Sequence, residues 1–391
     1  MVQEKIKQTV EILKEKKIDM WLTFARETYS SPDPVLELLL GAHVTWASAF
    51  IITATGETIA IVGSLDIQNV KNHANYEVIG YVDSIQDELL KTLNKLNPKR
   101  IAINYSTNDI MSDGLSHGMF LTLQDYLKGT PFMDRLESSE TLVSALRGRK
   151  SPEEIRRIQS AVDETLTIFN EVNAFVRAGQ SEKDIQNFIL QRVKEKGLET
   201  AWDPVHCPAV FTGPESAGAH ASPTERKIEP GHIMNIDFGV RKNGYVSDLQ
   251  RTWYFLKPGE MQAPDKVQHG FDTIRDAIQE AAKALKPGIE GWKIDNIARQ
   301  YIIDAGYEEY PHALGHQVGR MAHDGAGLLC PQWDRYKNLP FLKVEAGQVY
   351  TLEPRLTVEG HGIATIEEIV VVTESGCQFL SKPQTELILI K

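Results

Sequence analysis

Several features are scarce in this sequence of 391 residues, and each shortage argues against a class of protein. Only three cysteines occur, Cys207, Cys330 and Cys377, which argues against a disulfide framework and indicates a reducing compartment. No apolar run approaches the roughly 18 residues of a transmembrane helix, and the amphipathic residues 1–17 lack the features of a signal peptide. We therefore expect a cytoplasmic protein without a membrane partner.

Basic residues are also in deficit, with 42 Lys+Arg against 53 Asp+Glu and a formal charge of −11. Nucleic acids and anionic membranes bind basic faces, so we expect neither as a partner. The glycine-rich loops that hold nucleotide phosphates are missing, as is any repeat with a period of roughly 20–50 residues. The sequence therefore supports neither a nucleotide site nor a solenoid or propeller.

Length and element order predict two domains. Up to about residue 135, short apolar runs alternate with helical stretches, which indicates an α/β layer. The polar segment 147–154 is the predicted boundary, because Ser151 is a natural helix N-cap with Pro152 at the first helical position. We therefore place the domains at residues 1–150 and 151–391.

Strands and helices are expected in both domains. Strands are expected at 19–24, 49–52, 58–62, 77–82, 100–104, 232–239, 245–255, 348–356 and 363–373, and helices at 1–17, 84–96, 151–177, 181–196, 265–285 and 291–305. Eight of the eleven histidines follow residue 200. The chemistry is therefore expected in the second domain.

A hairpin with two acids is the first candidate site. Asn243-Gly244 is a strong signal for a two-residue hairpin loop, which would pair Asp237 with Gln250. Asp237 and Asp248 then project from one face, close enough for both carboxylates to reach one cation. The alternative is two solvated acids beside a hairpin.

Three histidines lie close together in the sequence, at His312, His316 and His323. Imidazoles serve as metal ligands, proton carriers and donors to developing negative charge. Glycines at 315 and 319 argue against a regular helix here. A single loop histidine is usually structural, but the grouping favours a functional role.

Acids also interrupt apolar, strand-like sequence at Glu353 and at the adjacent pair Glu367 and Glu368. A buried carboxylate needs a positive partner, whereas an acid on a strand edge can face solvent. Neighbours on a strand face opposite sides, so only one member of the pair can enter a shared pocket. Periodicity does not choose between them.

Taken together, these segments offer four carboxylates and one imidazole, from Asp237, Asp248, His316, Glu353 and Glu367. This oxygen-rich set has room for two divalent cations, of which Mn, Co, Fe or Zn suit such ligands. Two such metals would bridge and deprotonate a water, which gives a hydroxide nucleophile and hydrolysis without a covalent intermediate. No serine elbow or catalytic-cysteine signature competes with this interpretation.

Four segments, in order along the chain, resemble the M24-type metallopeptidase family of aminopeptidase P, prolidase, methionine aminopeptidase and creatinase. They are residues 220–224 with 230–231, 236–239 with 244–248 and 251–252, 312–316 with His323, and 353–354 with 366–368. The resemblance implies a creatinase/prolidase-type N-terminal α/β domain over 1–150. It also implies a catalytic domain with the pita-bread fold over 151–391.

The resemblance also implies roles for residues. Asp237 would bind one metal, Asp248 and Glu367 would bridge, and His316 and Glu353 would bind the other, which selects Glu367 over Glu368. His220 and His323 would contact substrate and stabilise the oxyanion, and Glu353 would accept the proton from the bridging water. His312 would line the leaving-group side. Manganese is the first choice of metal, with cobalt, zinc or iron as alternatives.

The implied activity is that of an Xaa-Pro aminopeptidase or Xaa-Pro dipeptidase, acting as a homodimer on peptides or dipeptides with proline after the first residue. Two alternatives are a metal-using small-molecule hydrolase or lyase on the same fold, and a non-catalytic binding protein derived from it.

Two departures from the family pattern concern specificity. Thr365 stands where many prolidase-like members have arginine, and Arg355 stands where they have glycine. We expect the loss of an arginine beside a bridging carboxylate to change metal affinity or substrate preference. Our hypothesis is that Arg355 supplies the missing cation from another position.

Overall fold

The polar segment near residue 150 separates two units of the chain in the computed structural model, which describes residues 1–216 and 222–391. The units are Met1–Arg147 and Gly148–Lys391, whereas the sequence places the division between residues 150 and 151. Each unit contains its own sheets. None of the helices in the described ranges combines the length and hydrophobicity that crossing a bilayer requires.

The N-terminal unit is a mixed sheet with helices on both faces. Its elements are α1 (Val2–Lys16), β1 (Met20–Ala25), α2 (Leu36–Leu39), β2 (Ser48–Thr53), β3 (Thr58–Gly63), α3 (Ile67–His73), β4 (Glu77–Tyr81), α4 (Gln86–Leu96), β5 (Ile101–Ile103), α5 (His117–Leu127), β6 (Leu136–Ser138) and α6 (Glu140–Gly148). The strand order is β4-β3-β2-β1-β5-β6, with antiparallel pairing only at β1–β2 and β2–β3.

Alternation along the strands builds two apolar layers in this unit. On β1, Trp21 packs into the cluster that contains α1, α2 and α6, whereas Leu22 packs on the other side with α4 and α5. On β2, Ile52 and Ile51 divide in the same way. Since successive strand residues point to opposite faces, both faces are apolar and both need a covering layer of helices. The expected α/β layer is therefore confirmed.

The C-terminal unit opens with the expected helix. Pro152 is its first residue, Ser151 Oγ accepts a hydrogen bond from the Glu154 main-chain N–H at 3.3 Å, and Glu154 Oε2 accepts from the Ser151 N–H at 2.8 Å. This reciprocal capping box satisfies two N–H groups that the helix itself leaves unpaired.

The elements of this unit in the described residues form several small sheets and, with the opening helix, four α-helices. They are α7 (Pro152–Phe175), α8 (Glu182–Glu195), β7 (Glu199–Thr200), β8 (Ala209–Thr212), β9 (Ile233–Phe238), β10 (Val240–Lys242), β11 (Tyr245–Val246), β12 (Leu249–Phe255), α9 (Asp265–Ala284), α10 (Gly291–Asp304), β13 (Gly315–His316), β14 (Leu328–Leu329), β15 (Val349–Leu352), β16 (Arg355–Val358), β17 (Gly362–Thr365), β18 (Glu368–Val372), β19 (Cys377–Phe379) and β20 (Ile388–Ile390). The helices α9 and α10 bury their apolar faces against the strands, including Tyr254, Leu352 and Val370.

Three strands expected to be continuous are interrupted. The stretch 245–255 breaks into β11 and β12, 348–356 into β15 and β16, and 363–373 into β17 and β18. Pro354 explains one break, because it has no N–H to donate to a ladder. The other two breaks leave Asp248 and Glu367 between strands of different sheets. The predictions of continuous strands were therefore wrong at the positions that carry acids.

The Asn-Gly turn forms as predicted. Asn243 and Gly244 both have positive φ, at 52° and 78°, and Lys242 pairs with Tyr245. Positive φ at both central residues is the geometry of the tight hairpin turn that matches strand twist. At the base of the hairpin a Cβ on Gly239 would lie 1.9 Å from the Ser247 carbonyl oxygen, so only glycine fits there.

Candidate metal centre

The two aspartates lie on neighbouring segments of one hairpin. Asp237 is on β9 directly opposite Gln250 of β12, as the turn predicts, and Asp248 lies in the bend just before β12. Asp248 is buried, and Asp237 is partly buried. The remainder of β9 is held in a core by Ile236 and Phe238, so the hairpin fixes where both carboxylates point.

His316 and Glu353 come together because the chain around β13 runs beside β15. The Glu353 N–H donates to the Leu314 carbonyl at 2.7 Å, and the His316 N–H donates to Thr351 Oγ1 at 3.1 Å. A Cβ on Gly315 would lie 1.9 Å from the Thr351 carbonyl oxygen, so glycine permits this close approach. As a result His316 Nε2 lies 3.2 Å from Glu353 Oε1 and 3.8 Å from Asp248 Oδ2.

The adjacent glutamates face opposite sides, as neighbours in an extended chain must. Glu368 forms an ion pair with Arg251 at 3.1 Å and accepts hydrogen bonds from Ser381 and the Gln384 N–H. Glu367 instead faces the cluster, where both its oxygens are buried without a hydrogen-bond partner. Structural context thus distinguishes two residues that periodicity leaves equivalent.

Donor atoms of three residues converge, and no lysine or arginine of the described residues forms an ion pair with their side chains. Ligand atoms of Asp248, His316 and Glu367 all lie within 4.8 Å of one another. Asp237 Oδ1 is buried with no hydrogen-bond partner, like the Glu367 oxygens. Unpartnered buried carboxylate oxygens are expensive, so they indicate a positively charged group that belongs at this point.

The pKa shifts of the carboxylates also indicate that a positive charge belongs at this position. Burial raises the pKa of Asp248 to about 7, with His316 opposing the shift and Glu353 adding to it. Burial, followed by the charges of the neighbouring carboxylates, also raises the pKa of Asp237 and of Glu367 well above their ordinary values. These acids therefore resist ionisation together unless a cation is present.

His316 and Glu353 shift as a hydrogen-bonded pair. Burial opposes the charge on His316, but the hydrogen bond and charge of Glu353, with the charge of Asp248, raise the pKa of His316 to about 9. Burial likewise opposes the charge on Glu353, yet its contact with His316 holds the pKa of Glu353 below its ordinary value. An imidazolium thus partly neutralises these carboxylates. A divalent cation fits the same donor set, because hard carboxylate oxygens and a neutral imidazole are its usual ligands.

Two of the other predicted histidines, His312 and His323, lie close enough to Glu353 for their charges to act on it. The rings of His323 and His316 meet edge to face with centroids 4.2 Å apart, and the charge of Glu353 also acts on His312. His312 is half-buried, and burial lowers its pKa. His220, the remaining predicted site residue, lies outside the described residues.

Two buried ion pairs fix the loops that carry these histidines. Arg299 binds both carboxylate oxygens of Asp295 at 2.7 and 2.8 Å and donates to the His312 carbonyl at 2.7 Å. Lys150 lies 3.3 Å from Asp324, which directly follows His323. Lys150 and Asp324 are 174 positions apart, so no local motif identifies that pair. Asp295 and Arg299 are instead four residues apart on α10, a spacing that favours an ion pair on a helix.

Neutral polar residues complete the surroundings of the carboxylates. Gln250 Nε2 donates to Glu353 Oε2 at 3.3 Å, and Thr365 Oγ1 donates to Gln250 Oε1 at 2.8 Å. Thr351 Oγ1 donates to Glu353 Oε1 at 3.2 Å. The sequence did not predict that these residues line the site. The hairpin register that places Gln250 opposite Asp237 could have indicated the position of Gln250.

Sequence comparison finds related peptidases over most of the chain. A profile described as metallopeptidase family M24 matches residues 153–374. An uncharacterized peptidase of Staphylococcus saprophyticus is 30% identical over 388 residues, which cover 96% of this chain and 99% of the relative. An Xaa-Pro dipeptidase of Lactobacillus helveticus is 29% identical over 332 residues, with 84% of each chain covered.

Solved structures share the fold over the full chain. The Xaa-Pro dipeptidase from Bacillus anthracis superposes with a TM-score of 0.76 at 24% identity and covers 100% of both chains. The X-Pro aminopeptidase from Thermotoga maritima gives a TM-score of 0.73 at 24% identity, over 98% of this chain and 99% of its own. The expected fold class, an α/β N-terminal domain followed by a pita-bread domain, is confirmed.

Proposed function

Since this chain belongs to metallopeptidase family M24, we propose that it is a metal-dependent exopeptidase that hydrolyses the peptide bond before proline. Its substrates in this proposal are Xaa-Pro dipeptides or peptides with proline in second position. The observation that carries the proposal is the buried group of carboxylates around His316, with unpartnered oxygens on Asp237 and Glu367. Within the described residues no lysine or arginine forms an ion pair with these carboxylates, and the donor set fits divalent metals.

The proposed metal ligands are the residues that the sequence predicts. Asp237 would hold one cation, Asp248 and Glu367 would hold both, and His316 and Glu353 would hold the second. When bound, the two cations, manganese in this proposal, supply Lewis acidity that polarises a carbonyl and acidifies water.

The protein's own groups would carry the proton and position the substrate. Glu353 accepts the proton of the attacking water, and its hydrogen bonds from Gln250 and Thr351 hold that carboxylate in one orientation. His323 and His220 donate hydrogen bonds to the oxyanion, a task for preorganised donors. His312 lines the side on which the proline leaves. A homodimer and a cytoplasmic location remain predictions of the sequence.

A substrate panel tests the proposed activity. The protein, dialysed against chelator and reloaded separately with Mn, Co, Zn or Fe, should cleave Xaa-Pro dipeptides or Xaa-Pro-Yaa tripeptides, detected as release of the first residue. Matched controls replace proline by alanine in the same peptides, and we expect their kcat/KM to be lower by at least about tenfold, about 1.4 kcal/mol of transition-state binding. Cleavage confined to the proline-free peptides, or independent of metal, would contradict the proposal.

A further inference from the structure

The arginine that this chain lacks at position 365 has a counterpart directly across the β16–β17 hairpin. Arg355 and Thr365 are cross-strand partners in the antiparallel pair. Residues directly opposite each other project from the same face of a strand pair. A cationic side chain is thus supplied to the face of position 365, but from the neighbouring strand.

That face of the hairpin points toward the candidate metal centre. Thr365 is buried, and its hydroxyl donates to Gln250, whose amide in turn donates to Glu353. Arg355 shares this face, and its charge acts on His312, as does the charge of Glu353. Arg355 therefore lies at the border of the site, on the side of His312.

The guanidinium of Arg355 has no anionic partner within the described part of the chain. It is half-buried, and none of the ion pairs or side-chain hydrogen bonds among residues 1–216 and 222–391 involves it. The guanidinium forms no hydrogen bond or ion pair with Glu353 or Glu367. No contact in the structure therefore supports the hypothesis that Arg355 replaces the missing arginine beside the metal ligands. A partly desolvated arginine without a counter-ion is suited to bind an anion that arrives from outside.

We propose that Arg355 binds the free carboxylate of the substrate's C-terminal residue, and thereby makes the enzyme prefer Xaa-Pro dipeptides over longer peptides. This inference rests on the proposed function, because it places the leaving proline beside His312. The planar guanidinium matches a carboxylate with two parallel hydrogen bonds, whereas an amide or a continuing chain offers no such charge. In a dipeptide the proline carries the carboxylate at the required end.

The test compares each substrate acid with its amide. We expect the manganese-loaded protein to cleave an Xaa-Pro dipeptide with a kcat/KM about 10- to 100-fold above that of the same Xaa-Pro amide, as for one charge-assisted interaction. The acid-to-amide ratio is the kcat/KM of the dipeptide acid divided by that of its amide. We expect this ratio to fall toward one in Arg355→Met, and to fall only in part in Arg355→Lys, which keeps the positive charge. The matched control is Arg275→Met, on α9 in an ion pair with Asp272, which should keep the wild-type ratio.

A binding measurement separates this inference from the proposed activity. By titration calorimetry, L-proline should bind the manganese-loaded wild-type protein more tightly than L-prolinamide, and Arg355→Met should remove most of that difference. Circular dichroism would confirm that the variants are folded, with Arg355→Lys as the conservative replacement. An unchanged acid-to-amide ratio and unchanged proline binding in Arg355→Met would overturn the role of Arg355 while leaving the peptidase intact. Failure of wild-type protein to cleave any Xaa-Pro substrate, with selective proline binding that depends on Arg355, would instead reject the proposed activity alone.

Discussion

An Asp248→Ala variant is expected to lose at least about 1000-fold in kcat/KM toward Xaa-Pro substrates, together with its bound metal. Asp248 is buried, and its carboxylate lies 3.8 Å from His316 and within 4.8 Å of a Glu367 oxygen. As the proposed shared ligand of two cations, it contributes to both binding sites at once. Removal of one such charge costs several kcal/mol of metal binding, so both ions should become weakly held. Metal content and turnover are measured on the same sample.

The matched control for Asp248→Ala is Asp304→Ala, at the exposed end of α10, which should leave metal content and turnover unchanged. Stability gives a second readout, because burial raises the pKa of Asp248 to about 7 in the metal-free protein. Because the pKa of Asp248 is higher in the folded than in the unfolded protein, the contribution of this group to the free energy of unfolding is lost as the pH rises through about 7. Metal-free Asp248→Ala should therefore gain thermal stability over wild type, and gain more at pH 8 than at pH 5. Retention of two metals by the variant would show that the ligand assignment is wrong.

A Glu353→Gln variant is expected to lose about 1000-fold in kcat with most of its folding stability retained. Glutamine has nearly the same shape, but its single carbonyl oxygen can keep only one of the two hydrogen bonds that Gln250 and Thr351 donate to the two carboxylate oxygens. It cannot accept the proton of the attacking water, and it removes one negative ligand from the proposed second metal. Steady-state kinetics at saturating manganese separate these losses, because added metal restores occupancy without restoring proton transfer.

The control for this variant is Glu374→Gln, an exposed glutamate that should behave like wild type. In the metal-free protein, the hydrogen bond and charge of Glu353 raise the pKa of His316 to about 9, so Glu353→Gln should lower that pKa. NMR titration of His316 measures it. Turnover within a factor of about three of wild type at saturating manganese would remove Glu353 from the proposed chemistry.

Local chemistry made much of the site predictable from sequence. The Asn243-Gly244 turn fixed the register that sets Asp237 opposite Gln250, because tight hairpin turns leave no freedom in strand pairing. Ser151 and Pro152 likewise marked the start of α7, since both residues satisfy requirements of a first helical turn. Such predictions succeed where a few neighbouring residues determine the geometry.

Features that depend on distant residues could not be predicted. Pattern alone left Glu367 and Glu368 equivalent, and the family resemblance chose Glu367. In the structure, the contacts of Glu368 with Arg251, more than a hundred residues earlier, and with Ser381 show which glutamate turns away. The relay from Thr365 through Gln250 to Glu353 joins three separate segments. The pairing of Arg355 with Thr365 depends on the register of β16 and β17, which the expected continuous strands 348–356 and 363–373 did not contain, although Gly360 at positive φ marks the turn between them.

The most direct test of the proposed function is a titration of chelator-treated protein with manganese, in which bound metal and hydrolysis of an Xaa-Pro dipeptide are measured in the same samples. We expect no turnover in the metal-free protein, and activity that rises with occupancy until two ions are bound per chain. Full activity in protein that holds no metal, or manganese that binds without producing cleavage before proline, would contradict it.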